Sequence, residues 1–275
     1  MTTVAPPALT TGWEPGLADA DSLCLAWLRH WADQLDLFAT AAGGTVVRDE
    51  RFVLADHRRP AGFFSAAVLM QPPADPAGWH DLLSDLGVAT SGARGAVHLW
   101  SLWPTPDLRS RGWELDGHPP LLVRPPRQPT ADAGAAGAPG PEPVPVDDAA
   151  SLAEWERVLV DGYPMRDLQP FRAGALLGPA LLDDPRIRFL LTRDRDGVPV
   201  AASAQFVAHG LAGFATGVTL PSARRAGHWW RHARARLAAE PDLWHVGAFS
   251  DDSRPGAERL GFVPVLRHTL WHRER

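Results

Sequence analysis

Apolar residues recur at helical spacing over residues 17–39, where Trp27, Leu28, Trp31, Leu35 and Phe38 share one face, and this spacing predicts an amphipathic helix. Beyond it the period shortens. Residues 44–54 (GTVVRDERFVL) and 63–70 (FFSAAVLM) read as strands, 77–86 as a second helix, 96–103 as a strand, 106–112 as a short helix stopped by Gly112, and 120–124 as a further strand. After residue 147 the same kinds of segment return. Residues 148–160 form a helix that opens on acid, which suits the positive end of its dipole. Residues 188–192 and 198–208 read as antiparallel strands joined by a turn at 194–197, followed by a strand at 211–220 and a helix at 223–239. A strand at 243–249, a short helix at 254–260 stopped by Gly261, and a last strand at 262–271 complete the pattern.

Between the two series lies a stretch rich in Pro, Gly and Ala (residues 126–147) with no apolar period, which reads as a semi-extended linker. The chain therefore divides into units at 1–125 and 148–275. Both units close alike, with a short helix ending at Gly112 or Gly261, an aromatic at Trp113 or Phe262, and an apolar strand. The pattern suggests tandem copies of one α+β unit with mixed sheets.

Composition narrows the classes. With 45% hydrophobic residues in 275, the chain can bury a core. A net charge of -5 gives no electrostatic reason to expect nucleic acid. All 27 basic residues are arginine, so a catalytic lysine is excluded. No apolar run suits a membrane span and the amino terminus lacks signal-peptide regions, so the expectation is a cytoplasmic protein without a membrane partner, monomeric or a homodimer. Cys24 is the single cysteine, which excludes an internal disulfide, and its place on the first helical face makes it a packing residue. His228 and His232 stand at a spacing that suits a metal, but no third ligand accompanies them; they are expected as solvated surface residues, and no metal site is expected.

Two stretches carry a likeness. Residues 219–227 (TLPSARRAG) form a strand, a turn and a helix start, and residues 254–262 (RPGAERLGF) end in Leu-Gly-Phe. Together with the order of elements, they resemble the GCN5-related N-acetyltransferase (GNAT) superfamily, in a two-domain form with a degenerate amino-terminal copy. The resemblance implies acyl transfer from acetyl-CoA or another acyl-CoA to a small-molecule amine. It implies that Val218 and Thr219 lie on a strand that splays from its neighbour and bonds the pantetheine. Arg224, Arg225, Ala226, Gly227, His228 and Trp229 would form the turn for the diphosphate, at a helix start whose free N–H groups suit an anion.

The sequence departs from that pattern at two points. Trp229 stands where the family's turn has glycine or alanine, and Ala257 stands where the family has a tyrosine that protonates the departing thiolate. Trp230 shares a helical stripe with Ala226, Ala233 and Leu237 and reads as core, whereas Trp229 lies off that stripe by about 100°. Replacement groups are His245 as a general base if it faces the cleft, Asp251 as a carboxylate that binds or deprotonates the amine, and Tyr163, the one tyrosine, as a hydroxyl at the substrate wall. Ser250 and His209 join Tyr163 and Asp251 as substrate-facing candidates; helix capping is the competing role for the 250–253 segment. Three readings compete: an N-acyltransferase with a relaxed turn, the same fold serving a different donor or reaction, and a non-catalytic binding module.

Overall fold

A computed structural model describes residues 23–60, 62–92, 95–127 and 140–274. Most of the linker and the predicted helical residues before 23 lie outside the described residues. In chain order the first half holds α1 (Leu23–Ala41), β1 (Thr45–Arg48), β2 (Phe52–Asp56), β3 (Ala66–Leu69), α2 (Pro76–Ala89), β4 (Val97–Ser101), β5 (Glu114–Gly117) and β6 (Pro120–Arg124). The second half holds β7 (Val144–Pro145), α3 (Ala149–Gly162), β8 (Ile187–Arg193), β9 (Pro199–Ala208), β10 (Leu211–Thr219), α4 (His228–Ala239), β11 (Trp244–Ala248), α5 (Arg254–Arg259), β12 (Val263–Arg267) and β13 (Thr269–Arg273).

Local chemistry sets the helix starts. Asp75 caps α2 by accepting the Gly78 N–H at 2.8 Å, with proline in the first turn, and Asp148 caps α3 by accepting the Ser151 N–H at 2.8 Å. Several predicted boundaries are corrected. Residues 44–54 are two strands, because Asp49 accepts the Arg51 N–H at 2.9 Å and turns the chain at its charged tip. Residues 62–64 form a 3-10 turn ahead of β3, and only 109–111 are helical, ended by Gly112. The helix expected from residue 223 starts at His228.

The predicted last strand is also two strands, and they belong to different sheets. One sheet runs β1-β2-β3-β4-β13-β5 and the other β12-β6-β11-β10-β9-β8-β7. Thus β6 leaves the first half to lie between β11 and β12, antiparallel to both, with all its residues buried. In exchange β13 leaves the second half and lies between β4 and β5, with Leu270 opposite Trp100. The sheets therefore do not divide at the linker; each contains a strand from the other half.

Helix α1 fills the space between the sheets. Trp27, Leu28, Trp31 and Leu35 pack on Ala55, Val68 and Trp100 of one sheet and on Leu121, Val123, Leu211 and Val246 of the other. Each fully buried leucine of this kind contributes about 1.5–3 kcal/mol. The outer face of the first sheet is covered by Leu82 and Leu86 of α2. On the second sheet α3 shares the α1 side, through Trp155 and Leu159 against Phe189 and Phe206. On its opposite side lie α4 and α5, through Ala233, Leu237, Ala257 and Leu260 against Leu122, Phe249 and Phe262. No helix of the described residues is long and apolar enough to cross a membrane.

Candidate active site

The second sheet is open at one place. Parallel strands β10 and β11 pair only over Leu211↔Trp244, Ala212↔His245 and Gly213↔Val246. Beyond these residues β10 stays on β9, with a bulge between Phe214 and Thr216, and β11 stays on β6. The two strands thus part, and a notch opens toward their carboxy-terminal ends. Leu220 N donates to Val200 O, so by the alternation of an antiparallel ladder the Gly217 carbonyl faces away from β9, into the notch. It accepts the hydroxyl of Tyr163 at 3.1 Å. Tyr163 caps the end of α3 and its ring stands edge-on to Phe63. The structure therefore brings Tyr163 and Gly217 together with Val218, which packs on Gly162 of α3.

Past β10 the chain reverses through a turn in which Arg225 (φ 67°) and Gly227 (φ 78°) are left-handed. Gly227 is the cap residue of α4 and no side chain bonds the helix start; glycine suits that backbone angle. The first N–H groups of α4 are left without a side-chain partner at the positive end of the helix. Cations surround them. Arg224 Nε reaches back to Thr219 O at 3.4 Å, and Arg231 Nη2 donates to Ala226 O at 2.7 Å and lies 3.2 Å from His228 Nδ1. No acid stands in the first turn of α4.

Trp229 spans from this helix start to α5. A Cβ built on Gly256 would fall 2.8 Å from Trp229 Cζ3 and 3.0 Å from Cη2, so the indole rests on the glycine backbone. Trp230 stands edge-on to it and carries the Arg259 guanidinium 5.6 Å from its ring; Trp230 is half-buried against the α4–α5 core rather than sunk in it. Ala257 is fully enclosed. No hydroxyl acts from that position.

Other predicted positions need correction. His245 has no exposed surface and faces the α4 side with its ring edge-on to Phe214. Burial holds its pKa down at about 4, so it is a neutral core residue closed off from an amine. His209 lies in the β9–β10 turn, at the end opposite the notch opening, and sits 2.8 Å from Asp33 of α1. His228 and His232 are buried, not solvated. His232 Nδ1 is 2.7 Å from Ser203 Oγ and Nε2 is 2.8 Å from Thr192 Oγ1, and burial pushes its pKa to about 3. Ser250 and Asp251 follow β11 at the open end of the notch and are exposed; Ser250 Oγ accepts the Ser253 N–H at 3.3 Å.

One buried cation was not legible beforehand. Arg236, 3% exposed, donates from Nη1 to Ala204 O and Thr216 O at the β9–β10 bulge and from Nε to His232 O, with Phe214 3.8 Å below its carbon centre. Burial without a carboxylate pulls its pKa down to about 9. On α4 the sheet-facing positions include His232 and Arg236, so the polar pattern reads as a solvent face.

No protein-family model and no curated protein matches the sequence. Solved structures do match the fold. A GCN5-related N-acetyltransferase from Kribbella flavida aligns at TM-score 0.61 and 23% identity, over 92% of this chain and 96% of that one. A GCN5-related N-acetyltransferase-like protein from Streptococcus suis 89/1591 aligns at 0.52 and 15%, over 89% and 99%. A tandem GNAT protein from the clavulanic acid biosynthesis pathway aligns at 0.50 and 14%, over 90% and 94%. The chain has the tandem GNAT fold, an α+β architecture of two mixed sheets.

Proposed function

We propose that the carboxy-terminal unit is an acyl-CoA-dependent N-acyltransferase acting on a small-molecule amine. The notch between β10 and β11 carries this reading. Strand edges that stop pairing at Gly213 and Val246 offer backbone groups to an extended, amide-bearing chain, as an open sheet edge does to an added strand. The start of α4 beyond the notch complements a diphosphate. The likeness in fold to GNAT proteins points the same way, although a fold hosts more than one chemistry.

Transfer from a thioester to an amine needs an unprotonated amine and a proton for the departing sulfur. Tyr163 is the proton donor in this reading, since its hydroxyl already stands on the notch edge at Gly217 O. Asp251, exposed where the notch opens, accepts the ammonium proton, and Ser250 beside it orients the amine. Positioning supplies a large share of the remaining rate.

Trp229 favours a second reading, in which the same fold serves another donor or reaction. Its indole spans from the start of α4 to Gly256 of α5, beside the helix start at which a donor's diphosphate would sit. Lifting a large aromatic from its packing costs about 1.5–3 kcal/mol, or roughly ten- to hundredfold in donor affinity. Calorimetric titration with acetyl-CoA separates the two. The first reading expects saturable binding that tightens in Trp229→Gly; no binding by either protein at millimolar acetyl-CoA overturns it.

A further inference from the structure

Among the described residues the buried serine and threonine hydroxyls are bonded, with one exception. Ser65 Oγ accepts the His57 N–H, Thr90 donates to Leu86 O, Ser101 donates to Trp103 O, and Thr192 and Ser203 meet the two nitrogens of His232. Thr216 is 6% exposed, and its Oγ1 meets no partner. A hydroxyl withdrawn from water with nothing to bond is destabilising, and such groups are rare in folded proteins.

Its place in the fold bears on the notch. Thr216 ends the bulge of β10, beyond Gly213, where pairing with β11 stops. From Thr216 to Val218 the pairing with β9 is regular, and strand residues two apart share a face. Thr216 therefore points to the side on which Val218 packs against Gly162 of α3. From that side Tyr163 sets its hydroxyl on Gly217 O at 3.1 Å. The unbonded hydroxyl and the proton donor proposed above thus border the same stretch of strand edge.

Arg236 holds this stretch from the opposite face. Its Nη1 donates to Thr216 O at 3.0 Å and to Ala204 O at 3.3 Å, and its Nη2 lies 3.6 Å from where a β-carbon on Gly217 would stand. All of its hydrogen bonds end on carbonyl oxygens, so they fix the threonine backbone without neutralising the buried charge. That charge decides what the hydroxyl meets. A buried cation repels an ammonium and attracts an oxygen that gains negative charge.

We propose that Thr216 is a catalytic residue whose hydroxyl donates a hydrogen bond to the carbonyl oxygen of the donor's thioester. The proposal rests on the acyltransferase reading of the carboxy-terminal unit. Addition of the amine turns that carbonyl into an oxyanion. As the C–S bond breaks the carbonyl returns, the sulfur takes the Tyr163 proton, the nitrogen releases its own to Asp251, and exchange with solvent restores both side chains. Thr216 transfers no proton. It bonds the oxyanion more strongly than the resting carbonyl, so its effect falls on rate rather than on donor affinity.

The test uses the full chain with acetyl-CoA and hydroxylamine, a small nucleophile that needs no acceptor pocket. Thr216→Val keeps the side-chain shape and removes the hydroxyl. Its urea midpoint should equal or exceed the native one, because no hydrogen bond within the fold is lost. Calorimetric affinity for acetyl-CoA should stay within about twofold, while kcat for acetyl transfer to hydroxylamine falls by about a hundredfold. Thr216→Ser, which restores the hydroxyl, should keep kcat within about tenfold of native. A lower midpoint or an unchanged kcat in Thr216→Val, or an equal loss of kcat in Thr216→Ser, overturns the proposal. So does acetyl-CoA binding by the native protein with no acceleration of hydroxylamine attack. Absence of acetyl-CoA binding overturns the acyltransferase reading itself, and this proposal with it.

Discussion

Trp229 rests against Gly256, its Cζ3 within 2.8 Å of where a β-carbon on that glycine would stand. The contact joins the start of α4 to α5, and the absence of a side chain at 256 is what permits it. Gly256→Ala is therefore expected to displace the indole, lowering stability by about 1–3 kcal/mol through overpacking. Denaturant unfolding gives the cost, and a shifted tryptophan emission shows the displacement; an unchanged midpoint would mean that the ring lies elsewhere.

Tyr163→Phe removes one hydroxyl and leaves the ring on Phe63. Loss of the bond to Gly217 O should cost about 1 kcal/mol of stability. If the hydroxyl protonates the leaving sulfur, kcat falls by about a hundredfold while KM for the amine holds. A fall in affinity with kcat unchanged would leave Tyr163 a structural role only.

His268 sits where the chain crosses between sheets. Trp27 Nε1 donates to its Nε2 at 2.9 Å, and its Nδ1 lies 3.0 Å from Pro119 O, so the neutral ring donates on one side and accepts on the other. Burial lowers its pKa from 6.5 to about 4. The folded state then holds fewer protons than the unfolded state between those values, so stability is full above 6.5 and is lost as pH falls toward 4. His268→Gln keeps both hydrogen-bonding roles without titrating. Roughly 2 kcal/mol of the native protein's loss between pH 7 and pH 5 should be absent from the variant, as read by urea unfolding at each pH.

The exchange of β6 and β13 predicts that neither half folds alone. Without residues 148–275, β5 loses its neighbour β13 and β6 loses both strands that flank it. Residues 1–125 and 148–275 produced separately should lack cooperative unfolding, and co-expression should restore a single transition by circular dichroism. Independent folding of either half would show the exchange to be dispensable.

Much of this fold was legible as pattern. The period of Trp27, Trp31, Leu35 and Phe38 gave α1, the acid Asp148 starts its helix, and Gly112 and Gly261 end theirs. The candidate site was legible as a turn and a strand but not as a set of side chains. His245 lay on a strand of the right length, yet nothing in LWHVGAF says which face meets α4. His232 looked like a solvent position because its partners, Thr192 and Ser203, are distant in sequence, and nothing local marked Arg236, whose partners are the bulge carbonyls.

The sequence by itself determined most of the helices and strands, if not every boundary, and the likeness of its turn and Leu-Gly-Phe segments to one superfamily. Those features depend on spacing, capping and backbone freedom, all set within a few residues. Tertiary structure alone decided that β6 and β13 change sheets, that Trp229 lies on Gly256, and that Arg236 meets Thr216 at the β10 bulge. Such relations follow from which long-range pairing buries the most apolar surface while satisfying the buried polar groups, and that balance is settled only when the whole chain packs.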